Sequence, residues 1–375
     1  MFGSLSLLSL QQYWWFLVSL IGALFVFITF VQGGQTLLHI VAKDEHQRNM
    51  LVASLGRKWE LSFTALVLFG GALFAAFPLF YAVSFGGAYY VWMAILFCFI
   101  IQAVSYEYRV KPNNFLGKRT YETFLYINGS VGIILIGIAL GSLFTGGNFV
   151  RDTMNFSAWT LPSYGLEAAL HPFNVAFGLT LFFLARVQAE LYFINNINDE
   201  DILINTKHQL VKDALLFLGF FVAVIVMLLV MSGFEYTTNG DVSIVTFKFL
   251  KNFLATPVLI VTFLSGTLLV VYAIVNTLFK QSRQGVFLSG LGTILVVTSL
   301  LCLLGFNATP IYPSLSHLAS SLSIENSSSS HYTLTAMSYV SLGVPFVLGY
   351  IYFVWRAMDK TKITSAEIEA DSHHY

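Results

Sequence analysis

Nine stretches of this chain are long and apolar enough to cross a lipid bilayer, and that leaves few folds open to it. A helix needs about 20 consecutive apolar residues to cover the hydrocarbon. The stretches run over residues 12–42, 59–85, 88–108, 121–146, 167–194, 210–233, 253–279, 285–306 and 333–357. Lipid offers no hydrogen bonds, so each segment must satisfy its own backbone, and the expected fold class is all-α and polytopic. Only 10% of the 375 residues are charged, against roughly 25% in soluble domains, so one transmembrane domain over 1–375 is expected. The first stretch has no basic run ahead of it and is too long for a signal-peptide core. It is expected to persist as the first span, with a break at Gly33-Gly34.

Basic residues set the orientation. Lys43, Arg48, Arg57 and Lys58 fall in the first loop, and Arg109, Lys111, Lys118 and Arg119 in the third. Lys207 and Lys212 mark the fifth, Lys280 and Arg283 the seventh, and Arg356, Lys360 and Lys362 the C-terminal tail. The alternate loops hold only Arg151, Lys248 and Lys251. The positive-inside rule then predicts nine spans, with the N-terminus outside and the C-terminus in the cytoplasm. Tyr13, Trp14 and Trp15 suit an outer interfacial belt, and Tyr352 and Trp355 an inner one. The net charge is zero, which gives no pointer to nucleic acid.

Charged groups inside spans are costly, so each is a functional candidate. Glu60 opens the second span at its cytoplasmic end; on position alone it reads as an acid favoured by the helix dipole. Gln32 and Gln35 share one helix face, where they could bond a neighbouring helix or line a hydrated path, but neither can ionise. Arg186 and Glu190, four residues apart, are expected to form a buried ion pair. Glu107 and Arg109 close the third span, positioned for a local pair or a partner. Cys98 and Cys302 read as isolated buried thiols. His39 and His171 are the only span histidines, near opposite faces of the membrane, so no haem or metal site and no catalytic residue is expected here. Redox chemistry would have to come from a partner chain.

The second to fourth spans carry a resemblance. Gly70-Gly71-Ala72-Leu73-Phe74-Ala75-Ala76-Phe77-Pro78, followed by Tyr81-Ala82, resembles the second-helix signature of subunit II of cytochrome bd quinol oxidases. Tyr106-Glu107-Tyr108-Arg109 is similar to that family's Phe-Glu-aromatic-Arg near the third helix, and Gly129-Ser130, Gly137 and Gly141 to its glycine-marked fourth. Ser327-Ser328-Ser329-Ser330-His331-Tyr332-Thr333-Leu334, with Pro345 and the Tyr352 to Arg356 ending, resembles its C-terminal pattern. The agreement runs in order along the whole chain.

The resemblance implies two four-helix bundles with one peripheral helix, set beside a haem-bearing subunit I in a bacterial cytoplasmic membrane. Such a complex oxidises quinol, reduces dioxygen to water and takes protons from the cytoplasm. Haems b and d belong to subunit I; this chain is expected to bind no cofactor directly, with a structural quinone left open. Lipids and small single-span accessory subunits are further expected partners. Two departures bear on mechanism. The family's Asp-bearing helix-one motif reads Val31-Gln32-Gly33-Gly34-Gln35-Thr36-Leu37, with amides for carboxylates. At the second helix Trp59 is retained, Glu60 stands for the Asp attributed to the proton inlet, and a later Trp is Ala65. Glu60, Gln32 and Gln35 are therefore the expected proton pathway, with Trp59 beside it. The alternatives are a purely structural subunit that binds lipid or quinone, and a secondary transporter.

Overall fold

The computed structural model describes residues 2–237 and 241–364. The first apolar stretch forms α1 (Leu7–Ile28), α2 (Phe30–Gln35) and α3 (Leu38–Val41). Next come α4 (Glu45–Gly56), α5 (Trp59–Ala76), α6 (Pro78–Tyr81) and α7 (Tyr89–Tyr108). Two helices follow, α8 (Lys118–Ile127) and α9 (Ile133–Thr145), joined through a π-helical turn at Asn128–Gly132. A hairpin of β1 (Phe149–Arg151) and β2 (Ser157–Trp159) leads to α10 (Pro172–Asn196) and α11 (Glu200–Val230). A second hairpin, β3 (Gly233–Tyr236) and β4 (Val242–Val245), precedes α12 (Lys248–Ala255), α13 (Pro257–Lys280) and α14 (Gly285–Leu301). The chain closes with α15 (Ile324–Ser327), α16 (His331–Ser341) and α17 (Val344–Met358).

Among the described residues, seven helical stretches are long and apolar enough to span: 7–35, 45–76, 89–108, 118–145, 172–196, 200–230 and 257–280. The pair α16 and α17, bent by 41°, makes an eighth if taken as one span, and α14 is apolar but shorter. The expected nine are thus seven or eight by this measure. Several boundaries also move. The basic segment 43–58, expected as a loop, is largely α4, whose residues Met50–Gly56 are buried. Helix α11 starts ten residues before its expected span, with Asp199 capping the Ile202 amide.

The break expected at Gly33-Gly34 lies elsewhere. Both glycines sit inside α2, and the helix is interrupted at Thr29, whose hydroxyl donates to the Val26 carbonyl at 2.6 Å, and again at Thr36. The glycines serve close approach instead. A Cβ on Gly33 would stand 2.3 Å from the Ala185 carbonyl carbon of α10, and one on Gly129 2.2 Å from the Gln32 carbonyl oxygen. Backbones meet there without side chains between them, as small residues permit in membrane bundles.

The connecting segments sort into two groups. The N-terminus meets the segment before α16 through His331 Nε2 and the Leu5 carbonyl (2.9 Å), and through Gln11 and Ser328 (2.7 Å). That segment also holds β1, where the Ser314 hydroxyl donates to the Phe149 carbonyl, and β3, where Tyr236 N–H donates to the Ala308 carbonyl. Trp159 reaches the Val83 carbonyl at 3.0 Å. The remaining segments join one another: Lys43 with Asp201 (3.0 Å), Lys118 with Glu45 (2.5 Å), Arg283 with Asn198 (3.3 Å), and Asn198 N–H with the Ile363 carbonyl (2.9 Å).

Trp14, Trp15 and Trp355, expected in interfacial belts, are buried between helices. The Trp15 indole donates to the Leu301 and Leu304 carbonyls (3.2 and 2.8 Å), freed where α14 ends, and Trp14 donates to Ser338 (2.9 Å). The α2–α10 contact gives a direct test. Gly33→Ala is expected to cost at least about 1–3 kcal/mol through overpacking. Gly71→Ala, where a Cβ meets nothing within 4 Å, should be neutral or stabilising by up to about 1 kcal/mol. Thermal unfolding of the two variants in detergent distinguishes them.

Candidate functional site

A cluster of buried amides lies where α2, α5, α7 and the π turn converge. Gln32 and Gln35 share a face of α2, and both reach Gln102 Oε1 on α7, at 2.9 and 2.6 Å. Asn128, at the start of the π turn, donates to Gln102 Oε1 (2.6 Å) and Gln35 Oε1 (2.9 Å). Gln32 also donates to the Ser62 hydroxyl (2.6 Å) on α5, and Gln35 to the Tyr106 hydroxyl (3.2 Å). Gln32 Oε1, Gln102 Nε2 and Asn128 Oδ1 are buried without a protein partner. Buried amide atoms left this way retain hydrogen-bonding capacity that a water molecule could take up. A π turn changes which side chain points inward, which is how Asn128 joins residues from two other helices.

Trp59 stacks on Tyr106 with ring centres 5.6 Å apart and planes 14° off parallel. Ser62 donates back to the Trp59 carbonyl at 2.7 Å, tying the first turn of α5 to the amides. Glu60 follows Trp59 but is exposed on the outside of the chain, and among the described residues it has no ion pair. It flanks the cluster without joining it.

Glu107 and Arg109 part company. Glu107 is exposed and pairs with Lys111 at 3.2 Å, one turn on. Arg109 is fully buried, giving Nε (3.0 Å) and Nη2 (2.6 Å) to Glu122 Oε1 and Nη1 to Asn49 (2.9 Å). His39 Nε2 stands 3.1 Å from Glu122 Oε2.

The ion pair expected between Arg186 and Glu190 does not form. Arg186 turns across to α11 and places Nε and Nη2 at 3.0 and 2.9 Å from Asp213 Oδ2, with Nη1 donating to Thr36 at 2.9 Å. An adjacent helix offered a partner with better geometry than the one along its own axis. Glu190 is buried with no N–H or hydroxyl donor on either carboxylate oxygen, and the Asp213 carboxyl is its polar neighbour. A further buried pair joins Lys58, between α4 and α5, to Asp359 just past α17, at 2.9 Å. Asn196 (2.9 Å) and the Tyr192 hydroxyl (3.4 Å) also donate to Asp359 Oδ1, and Lys58 Nζ lies 5.1 Å from the Trp355 ring centre.

Sequence reasoning passed over Glu122, Asp213, Gln102 and Asn128. The first two are charges within expected spans and carried the signal already applied to Arg186. The two amides carried no comparable mark. Cys98 and Cys302 are free, buried thiols. Among the described residues no three His, Cys, Asp or Glu side chains converge as a metal site. His39 is engaged with Glu122 near the basic-segment end, and His171 caps α10 at the other, so the two cannot bracket one haem iron.

The buried pair of Glu122 and the exposed pair of Glu107 predict contrasting variants. Glu122→Ala leaves the Arg109 charge buried and unpaired, with an expected cost of about 3–5 kcal/mol. Glu107→Ala removes only an exposed pair, worth under about 1 kcal/mol. Melting temperatures of the two purified variants check this.

A family model described as cytochrome bd terminal oxidase subunit II matches residues 10–358. The chain is 27% identical to a probable cytochrome oxidase subunit 2 of Haemophilus influenzae, covering 92% of this chain and 93% of that one. It is 24% identical to cytochrome bd-I ubiquinol oxidase subunit 2 of Escherichia coli K12, covering 97% and 98%. It is 22% identical to cytochrome bd ubiquinol oxidase subunit 2 of Bacillus subtilis, covering 93% and 96%. The fold is similar to a chain of the bd oxidase from Geobacillus thermodenitrificans, with a TM-score of 0.65 at 13% identity over 94% of this chain and 100% of the other.

Proposed function

The chain belongs to the cytochrome bd terminal oxidase subunit II family, part of a quinol:oxygen oxidoreductase complex with a subunit I, and from this we propose that it lines that complex's cytoplasmic proton inlet. Reducing one dioxygen to water consumes four protons, and a membrane-embedded site must draw them through protein. Glu60 lends and regains a proton at the mouth. The amides of Gln32, Gln35, Gln102 and Asn128 hold a hydrated stretch beyond it, and Trp59 on Tyr106 walls the mouth. The observation that carries this reading is the set of converging buried amides with hydrogen-bonding capacity unspent. An exposed Glu60 suits a rim position, where subunit I or solvent supplies its surroundings.

The reading includes nine crossings, an outside N-terminus, a cytoplasmic C-terminus and a bacterial cytoplasmic membrane. It is supported by the two groups of connecting segments, which alternate along the chain as nine crossings require. The basic residues concentrate in the group that holds Lys43, Lys118 and Arg283, which the positive-inside rule assigns to the cytoplasm. Haems b and d lie in subunit I, whose iron this chain's own donors do not suit. A second reading, a structural subunit that seats a lipid or quinone tail, is favoured by the apolar cavity among α10, α11, α13 and α14, lined by Phe177, Leu181, Phe221, Val270 and Val296.

Glu60→Gln in the assembled complex separates the two. Loss of the proton carrier is expected to slow oxygen consumption about tenfold to a hundredfold with haem content unchanged. Full turnover with normal proton uptake would leave the structural reading standing.

A further inference from the structure

Among the described residues the carboxylates of Glu122, Asp213 and Asp359 each meet a cation, and the buried Glu190 does not. Asp213 answers the charge of Arg186, and its Oδ2 accepts from Arg186 and from Gln209 Nε2, the latter at 3.2 Å. Glu190, one turn beyond Arg186 on α10, has no exposed surface; no N–H or hydroxyl donor reaches either oxygen, and the Asp213 carboxyl lies within hydrogen-bonding reach. The charged groups that face it are Asp213 from α11 and Arg186 from its own helix. The segments of α2, α9 and α14 packed on α10 contain no titratable residue. A bare carboxylate in such surroundings would carry an uncompensated charge at a cost that drives it to bind a proton. Packing alone gives no reason for an acid here.

Helix α11 carries a polar stripe that ends beside this acid and begins at an exposed residue. Asp201, Asn205, Gln209 and Asp213 recur every four residues and so lie on one face. Asp201 is exposed and paired with Lys43, Asn205 donates to the Val41 carbonyl at 2.9 Å, and Gln209 donates to Asp213. Thr206, beside this stripe, is buried with its hydroxyl unpartnered. Twelve residues of helix cover about 18 Å, a path with a polar group at every turn.

We propose that Glu190 is a second proton-holding site of this subunit, loaded from the basic-segment side along the Asp201–Asn205–Gln209–Asp213 face of α11. A proton passes along this face through water molecules held between its polar side chains to the Asp213 carboxylate and on to the Glu190 carboxylate, and returns to water by the same route, with no electron transferred. The site is separate from Glu60 and does not depend on the role given to it.

Infrared spectra of the purified complex test this. Wild type minus Glu190→Gln is expected to contain a protonated-carboxyl C=O band at neutral pH that shifts on transfer to D2O. Carboxylate bands in its place, or a carboxyl band that never exchanges, would overturn the proposal. Gln209→Leu, which leaves Glu190 in place, should keep the band and slow its exchange about tenfold or more; unchanged exchange would refute the route. Glu60→Gln should leave the exchange rate as in wild type, and a slowed exchange there would refute the independence of the two sites.

Discussion

A charge inside this bundle must find its opposite on another helix, because lipid offers it neither water nor counter-ion. Among the described residues Arg109 meets Glu122, Arg186 meets Asp213 and Lys58 meets Asp359 in this way. Apolar packing is non-directional and would tolerate several arrangements of helices of similar length. A buried pair adds little over well-packed apolar residues, yet half of one is severely destabilising. The pairs therefore act on which helices become neighbours. Each joins segments that no local rule would bring together, and the α2–α10 backbone contact at Gly33 brings Thr36 within reach of Arg186.

The same economy divides the chemistry of the interior. Amides occupy the junction of α2, α5, α7 and the π turn, where they bond one another without needing a counter-charge. Carboxyl groups stand at the rim or beside a cation, and Glu190 departs from that pattern. Amides orient hydrogen bonds but hold no mobile proton; carboxyl groups do hold one.

Much of the architecture was legible because lipid makes the requirements blunt. The apolar runs mark the helices, and the alternation of basic segments anticipates which connections meet. The shared face of Gln32 and Gln35 followed from helical spacing alone, and both do reach one acceptor. What could not be read was tertiary choice. Spacing of four residues made Glu190 the natural partner for Arg186, but spacing describes one helix and the preferred anion sat on the next. The basic run at 43–58 looked like a loop because its charges masked the buried face of α4. Asn128 required knowledge of a π turn, which composition does not announce.

The Lys58–Asp359 pair has a consequence in time. Lys58 leaves the ribosome early and is fully buried in the finished fold, whereas its counter-ion lies past the last helix. Synthesis runs from the N-terminus, so the cation waits through 301 further residues for its anion. Until then the α4–α5 junction must keep the ammonium group at the bilayer surface or in the care of the insertion machinery. Arrival of residue 359 is what allows that junction to seat, so a late segment acts as a completion signal for one made long before it.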